Sequence, residues 1–271
     1  EWSEDPQFVE DVMRFLDNVM NDFIERAPDE FAHAKYSAMR ERSVGLGVMG
    51  LHSYFQKKNI PFGSVMSKVW NKKVFKNIQE KVDAASKSLA EERGACPDAE
   101  EYGMKERFSN KTAIAPTASI SIICGGSSPG IEPIAANSYT HKTLSGSFNV
   151  RNKYLKKILS KYKKDTDDVW SSITTNQGSV SHLDFLTAEE KDTFKTAFEI
   201  DQRWIVELGA DRTPHISQAQ SINIFIPADI HKKDLHNLHF QAWKKGLKSL
   251  YYCRSKSIQR AENVNKGTST D

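Results

Sequence analysis

The chain has 271 residues, 38% of them hydrophobic, enough for one large domain or two small ones around a packed core. Lys and Arg number 38 against 35 Asp and Glu, and a formal net charge of +3 sets up no field that would by itself draw in nucleic acid. Cys96, Cys124 and Cys253 are odd in number and far apart, which argues against a secreted disulfide framework or a C-x-x-C metal site and points to a reducing cytoplasm. No stretch is apolar enough for a membrane span, the acidic, amphipathic opening does not resemble a signal peptide, and Glu1 in place of an initiator Met fits a trimmed or partial chain.

Asp5 and Pro6 supply a cap and a first-turn proline, and Phe8, Val9, Val12, Leu16, Val19, Met20 and Phe23 recur at helical spacing. A second helix is expected through Met66, Trp70, Val74, Ile78, Val82, Ala85 and Leu89, closed by Gly94. A third follows from Val150, Tyr154, Leu155, Ile158 and Leu159, and the stretch Lys161 to Asp168 is expected as a solvated loop. Thr187 with Glu190 makes a capping box opening a helix towards Phe194 and Phe198. Trp204, Ile205 and Leu208 keep helical spacing to Gly209, and Leu235, Leu238, Trp243 and Leu247 mark a final helix. Strand-like runs are short: Val44 to Val48, Thr112 to Ala115, Ser221 to Ile226 and Leu250 to Cys253. Helices alternating with short strands imply an α/β fold with parallel pairing.

Gly45, Gly47 and Gly50 spell the G-x-G-x-x-G of a dinucleotide site, but the acidic residue expected about 20 positions on is missing, since Ser64 to Lys76 contains none. The run Ile114-Ala-Pro-Thr-Ala-Ser-Ile-Ser-Ile-Ile-Cys-Gly-Gly-Ser-Ser-Pro-Gly-Ile-Glu-Pro133 leads from a strand into small hydroxyl residues and glycines. Small side chains let backbone N–H groups close on an anion, and Thr117 and Ser119 add hydroxyl donors. Composition alone fits a Ser- and Gly-rich surface turn equally well. His231, His236 and His239 share one stretch, but no helix brings all three to one face at metal-ligand spacing, so no metal site is expected. Tyr251 and Tyr252 lie in a strand-like run where aromatics are common.

Motif order decides between these readings. Pro116-Thr-Ala-Ser119 with Ile131-Glu-Pro133, Arg42-Ser-Val-Gly-Leu-Gly-Val-Met-Gly-Leu51, Ala210-Asp-Arg212 with Ile216-Ser-Gln-Ala-Gln-Ser-Ile-Asn223, His239 with Ala242-Trp-Lys-Lys-Gly-Leu-Lys248, and Leu250-Tyr-Tyr252 occur in the order found in class I ribonucleotide reductase large subunits, which the chain resembles from about its start to residue 260. The resemblance implies the second half of a ten-stranded α/β barrel, a parallel half-barrel with surrounding helices. Residues 1–40 would then be a helical lead-in, 41–260 the half-barrel and 261–271 a flexible tail stub. By the same resemblance, Pro116, Thr117, Ala118, Ser119 and Ile120 would hold the diphosphate of a ribonucleoside diphosphate. Tyr251 and Tyr252 would relay a radical, Tyr251 towards the active-site cysteine and Tyr252 towards the small subunit.

The family's N-x-C-x-E stretch, one of its reducing cysteines and its allosteric sites lie upstream of everything here, and Arg260 to Asp271 has no tail cysteine pair. The implied partners are therefore an N-terminal half of the large subunit, a di-iron tyrosyl-radical small subunit, and a thioredoxin- or glutaredoxin-type reductant. Cys96, Cys124 and Cys253 are expected as incidental buried thiols. Two other readings stay open: an adenosylcobalamin-dependent reductase, against which the tyrosine pair argues, and a non-catalytic nucleotide-binding or assembly module.

Overall fold

The structure is a computed structural model and describes residues 5–143 and 146–255. The tail stub expected over 261–271, and the last residues of the region expected to end at 260, lie outside the described residues. Its helices are α1 (Phe8–Arg26), α2 (Ala32–Glu41), α3 (Leu51–Lys57), α4 (Val65–Arg93), α5 (Pro97–Glu101), α6 (Ile120–Ile123), α7 (Lys153–Lys161), α8 (Asp167–Thr175), α9 (Ala188–Thr193), α10 (Gln202–Arg212) and α11 (Lys232–Lys244). Its strands are β1 (Ser138–Thr143), β2 (Gly146–Arg151), β3 (Ile224–Ile226) and β4 (Cys253–Ser255). The chain divides into two compact units, one taking it up to Gly47 with Trp70–Ala115 and Asp211–Gln220, the other comprising Val48–Val69, Pro116–Ala210 and the chain from Ser221 on.

In the first unit α1 follows its apolar spacing but buries little of it. Val9, Met13 and Asp17 face inward, whereas Phe8, Phe15, Val19 and Phe23 stay exposed. The Asp5 carboxylate accepts the Gln7 N–H at 2.9 Å, so it braces the entry to α1 without bonding deeper into the first turn. From Trp70 on, α4 buries Phe75, Ile78, Val82, Ala85 and Leu89, and Gly94, in the left-handed region at φ 87°, donates its N–H to the Ala90 carbonyl as expected of a terminating glycine.

Asp17, fully buried, receives Arg42 at 2.5 Å, Arg93 at 2.9 Å and Arg107 at 2.9 Å. Burial pushes its carboxyl up, but hydrogen bonds from Arg107, Arg42 and Arg93 outweigh that and hold it below the usual carboxylate range. The runs expected over Val44–Val48 and Thr112–Ala115 form no full strand here and meet in isolated parallel bridges, Leu46 with Thr112 and, beyond them, Ile114 with Gln220. A Cβ on Gly47 would lie 2.4 Å from the Ala113 carbonyl oxygen. Close passage of the two backbones therefore explains the glycine that mimics a dinucleotide fingerprint.

The second unit has its core where α7, α8 and the connection leading to α9 come together: Leu155, Ile158, Leu159, Trp170, Ile173, Val180, Leu183, Leu186 and, just after α9, Phe194 cluster with almost no exposure. Asn152 caps α7 by accepting the Tyr154 N–H at 2.9 Å, and Thr187 and Glu190 form the reciprocal capping box of α9. The expected solvated stretch is the connection between Lys161 and Asp167.

Several boundaries differ from expectation. Val150 belongs to β2, not to the helix that follows it, because β1 and β2 form an antiparallel hairpin pairing Ser138 with Arg151 and Thr143 with Gly146. Helix α9 stops at Thr193, short of Phe194 and Phe198, whereas α10 continues past Gly209 to Arg212. Helix α11 ends at Lys244, leaving Leu247 outside it, and buries Ala242 while Phe240 and Trp243 remain exposed. Of the run expected over Ser221–Ile226 only Ile224–Ile226 forms a strand, and the run expected over Leu250–Cys253 reaches a strand only at Cys253; β3 pairs β4 in parallel, Ile224 opposite Cys253 and Ile226 opposite Ser255. Among the described residues no helix is long and apolar enough to cross a membrane.

Candidate active site

Every residue expected to act on a substrate falls in the second unit, on the turn from Pro116 to Gly130 and on the strand entry at Tyr251 and Tyr252. The turn is held open by a backbone that few residues would choose. Thr117 has φ 53°, a left-handed conformation unusual for a β-branched side chain and costing on the order of 1–3 kcal/mol. Two bonds stabilise it: its hydroxyl oxygen accepts the Gly130 N–H at 2.7 Å and its carbonyl accepts the Ser121 N–H at 3.0 Å. The hydroxyl assigned as a donor to a phosphate is thus first an acceptor within the turn, with its own proton still available to donate.

Reversal of the chain at Thr117 leaves the N–H groups of Ala118, Ser119 and Ile120 without acceptors among the described residues, all three residues being exposed at the start of the short helix α6. Lys153 brings an ammonium to the same turn, donating to the Gly125 carbonyl at 3.0 Å. Unpaired amides on a turn that also holds a cation suit an anion.

Helix α3, not expected from the sequence, anchors the far side of the turn. Gly50, left-handed at φ 83°, donates to the Ser128 carbonyl at 2.7 Å, and Ser53 and Ser128 exchange backbone-to-hydroxyl bonds of 3.1 and 2.9 Å. His52, wholly buried on the same helix, accepts the Ile134 N–H on Nδ1 at 3.0 Å; burial depresses its pKa to about 3, so the ring is a neutral structural acceptor.

The tyrosines sit side by side. Their ring centroids are 4.2 Å apart at an interplanar angle of 51°, and the two residues are 53% and 54% exposed. Placement of adjacent residues on opposite faces, the pattern of an ordinary strand, is therefore not what these two adopt. Their backbone is nonetheless in the ladder: Tyr251 N–H donates to the Ile222 carbonyl at 2.8 Å, and Ile224 N–H donates to the Tyr252 carbonyl at 2.9 Å. The Arg254 guanidinium lies 5.7 Å from the Tyr252 ring centroid. The neighbouring Tyr252 phenol raises the pKa of the Tyr251 phenol above its ordinary value.

Two further residues join turn and tyrosines, and sequence reasoning assigned neither a role. Asn223, fully buried, donates Nδ2–H to a Glu132 carboxylate oxygen and accepts the Tyr252 N–H on Oδ1 at 2.9 Å. Glu132 is itself buried, and desolvation pushes its pKa up to about 7 against the opposing effects of Arg254 and of the Asn223 hydrogen bond. The available signal was an acidic residue wedged between Ile131 and Pro133, and an asparagine inside an apolar strand run.

The other candidates take separate places. Cys96 is buried as expected, but Cys124 and Cys253 are exposed, because the glycine turn and the β4 start leave them uncovered by the described chain. His231 accepts the Lys233 N–H at the start of α11, His239 bonds the Leu235 carbonyl, and His236 stacks on Phe240.

The ribonucleotide reductase barrel-domain family model matches residues 2–107 and 97–253. The ribonucleoside-diphosphate reductase large subunits of invertebrate iridescent viruses 6 and 3 are 47% and 43% identical to the chain, over 97% and 99% of it but only 28% and 43% of their own lengths. The class Id ribonucleotide reductase alpha subunit of Actinobacillus ureae superposes with a TM-score of 0.88 at 38% identity, covering 99% of this chain and 49% of that one. The chain thus spans half or less of the relatives it matches, and within that span it belongs to the ribonucleotide reductase barrel-domain family.

Proposed function

We propose that the chain is a C-terminal portion of a ribonucleoside-diphosphate reductase large subunit, reducing ribonucleoside diphosphates to deoxyribonucleoside diphosphates by radical chemistry. In this reading the turn Pro116, Thr117, Ala118, Ser119 and Ile120 holds the substrate diphosphate, and Tyr251 and Tyr252 relay the radical. The observation that carries it is the presence, in one compact unit, of an exposed turn with three unpaired amides and of two phenols in ring contact. Hydrogen bonds to a charged group are worth about 1.5–3 kcal/mol each, so a few amides with the Ser119 and Thr117 hydroxyls suffice to hold a diphosphate.

Chemistry at the ribose needs a cysteine that forms the thiyl radical and its neighbouring polar residues, carried in the family by an N-x-C-x-E stretch that the surroundings of Cys124 do not match. The N-terminal half of the large subunit provides them. A small subunit, of the di-iron tyrosyl-radical type, docks on the Tyr252 side, and a thioredoxin- or glutaredoxin-type reductant restores the enzyme after turnover. The cytoplasm is the compartment that suits this reductant.

Ser119→Ala and Thr117→Pro test the turn. Proline fixes φ near −65° and cannot adopt the left-handed backbone of position 117, so it rebuilds the turn, whereas Ser119→Ala removes a single hydroxyl. In the assembled enzyme both are expected to raise KM for the ribonucleoside diphosphate, Thr117→Pro by at least tenfold, with little change in subunit association. Normal substrate affinity in both variants would overturn the assignment.

A further inference from the structure

Exposed side chains are ordinarily free to sample rotamers, yet a relay needs two phenols at a fixed separation. The two residues are 53% and 54% exposed, and among the described residues their rings make aromatic and cation contacts with each other and, for Tyr252, with Arg254. With so much of each residue open, side-chain packing is a weak constraint on the pair. Its backbone is held through three successive bonds from residues 222–224 to residues 251 and 252, and the middle one is made by the Asn223 side chain, not by backbone.

An asparagine amide is nearly symmetric in shape, and its two ends differ only in donating or accepting. Tyr252 N–H can only donate, so it needs Oδ1. On the opposite side a Glu132 carboxyl oxygen accepts, so it needs Nδ2, and the two demands agree on one orientation. Glu132 thereby locks the amide in the state that holds Tyr252. Burying a carboxyl group is costly, and Glu132 is buried beside the tyrosine pair with this amide as its hydrogen-bond partner. Glu132 also stands on the return of the phosphate turn, two residues after Gly130, whose N–H is held by the Thr117 hydroxyl.

We infer that Glu132 and Asn223 are positioning residues that fix the Tyr251–Tyr252 pair from the substrate-turn side, so that the geometry of the relay is set by the segment that binds the substrate diphosphate. This rests on the relay reading of the tyrosines. Neither residue touches substrate; both act through the Tyr252 amide.

Two measurements test it. In the full chain, amide exchange at Tyr252, referenced to amides of α7 so that global opening cancels, is expected to accelerate at least tenfold in Glu132→Ala and to return to within about threefold of wild type in Glu132→Gln, whose side-chain oxygen still accepts from Asn223. In the assembled enzyme Glu132→Ala is expected to lower kcat at least tenfold with KM for the ribonucleoside diphosphate within twofold, and Glu132→Gln to recover most of the loss. Unchanged Tyr252 exchange in Glu132→Ala overturns the proposal, as does a raised KM at unchanged kcat, which would place Glu132 in substrate binding. If Tyr251→Phe turns over normally while Glu132→Ala still frees the Tyr252 amide, the relay reading has failed and the anchoring alone remains.

Discussion

Two buried carboxylates show how the same residue chemistry is put to different ends. Asp17 meets three arginines and is held below the usual carboxylate range, so its charge is more than matched. Glu132 meets one amide, with Arg254 acting through space, and is pushed up to about 7. The first arrangement ties α1 to Arg42, Arg93 and Arg107 and is a structural clamp. The second leaves a carboxyl near its titration point beside the tyrosine pair, which is a poor way to stabilise a fold and a good way to hold a site.

The contrast is broken most severely by removing Asp17. Asp17→Ala leaves Arg42 and Arg107 buried without their counter-charge, and the loss of one partner from such a pair costs roughly 3–5 kcal/mol. Urea denaturation of the chain should show a reduced midpoint at unchanged slope; a midpoint within experimental error of wild type would show that the cluster is not a clamp.

Titration sharpens the same contrast with opposite signs. A depressed carboxyl such as Asp17 contributes stability that is present above its unfolded pKa of about 3.9 and is lost as pH falls through its lower folded value. A raised carboxyl such as Glu132 favours the folded state most below its unfolded pKa of about 4.3, and that contribution declines as pH rises towards about 7, by a few kcal/mol at most. Glu132→Gln should therefore flatten the fall in stability between about pH 4 and 7 while leaving the acid limb set by Asp17 in place. An unaltered slope in that window would mean Glu132 is not titrating there.

Local chemistry was legible where it acts within a few residues. The Thr187–Glu190 capping box and the Gly94 terminus were readable because cap and partner are near neighbours in sequence. Parallel pairing among the four strand runs also followed from alternation with helices. The hairpin at Ser138–Arg151 was missed because its alternation is weak and Val150 fits the apolar spacing of the following helix. Asp17 and Glu132 were opaque for another reason. A carboxylate is ordinarily solvated, and the partners that allow these two to be buried lie 25 and 91 positions away, for Arg42 and Asn223. The exposed thiols at Cys124 and Cys253 reverse an expectation based on average burial, which a glycine turn and a strand edge do not follow.

The site itself was read from ordered motifs, and its geometry then added what spacing could not supply: the left-handed Thr117, the unpaired amides behind it and the contact between the phenols.

The most direct test of the account is turnover by Tyr251→Phe. The substitution removes one exposed hydroxyl and should cost at most about 1 kcal/mol of stability, leaving the turn and its affinity for substrate intact. With the chain assembled with the N-terminal half of the large subunit, the radical-generating small subunit, reductant and a ribonucleoside diphosphate, the account predicts wild-type production of deoxyribonucleoside diphosphate and none above background from Tyr251→Phe at unchanged substrate binding. Near-normal turnover by Tyr251→Phe would contradict it and return the tyrosine pair to a packing role.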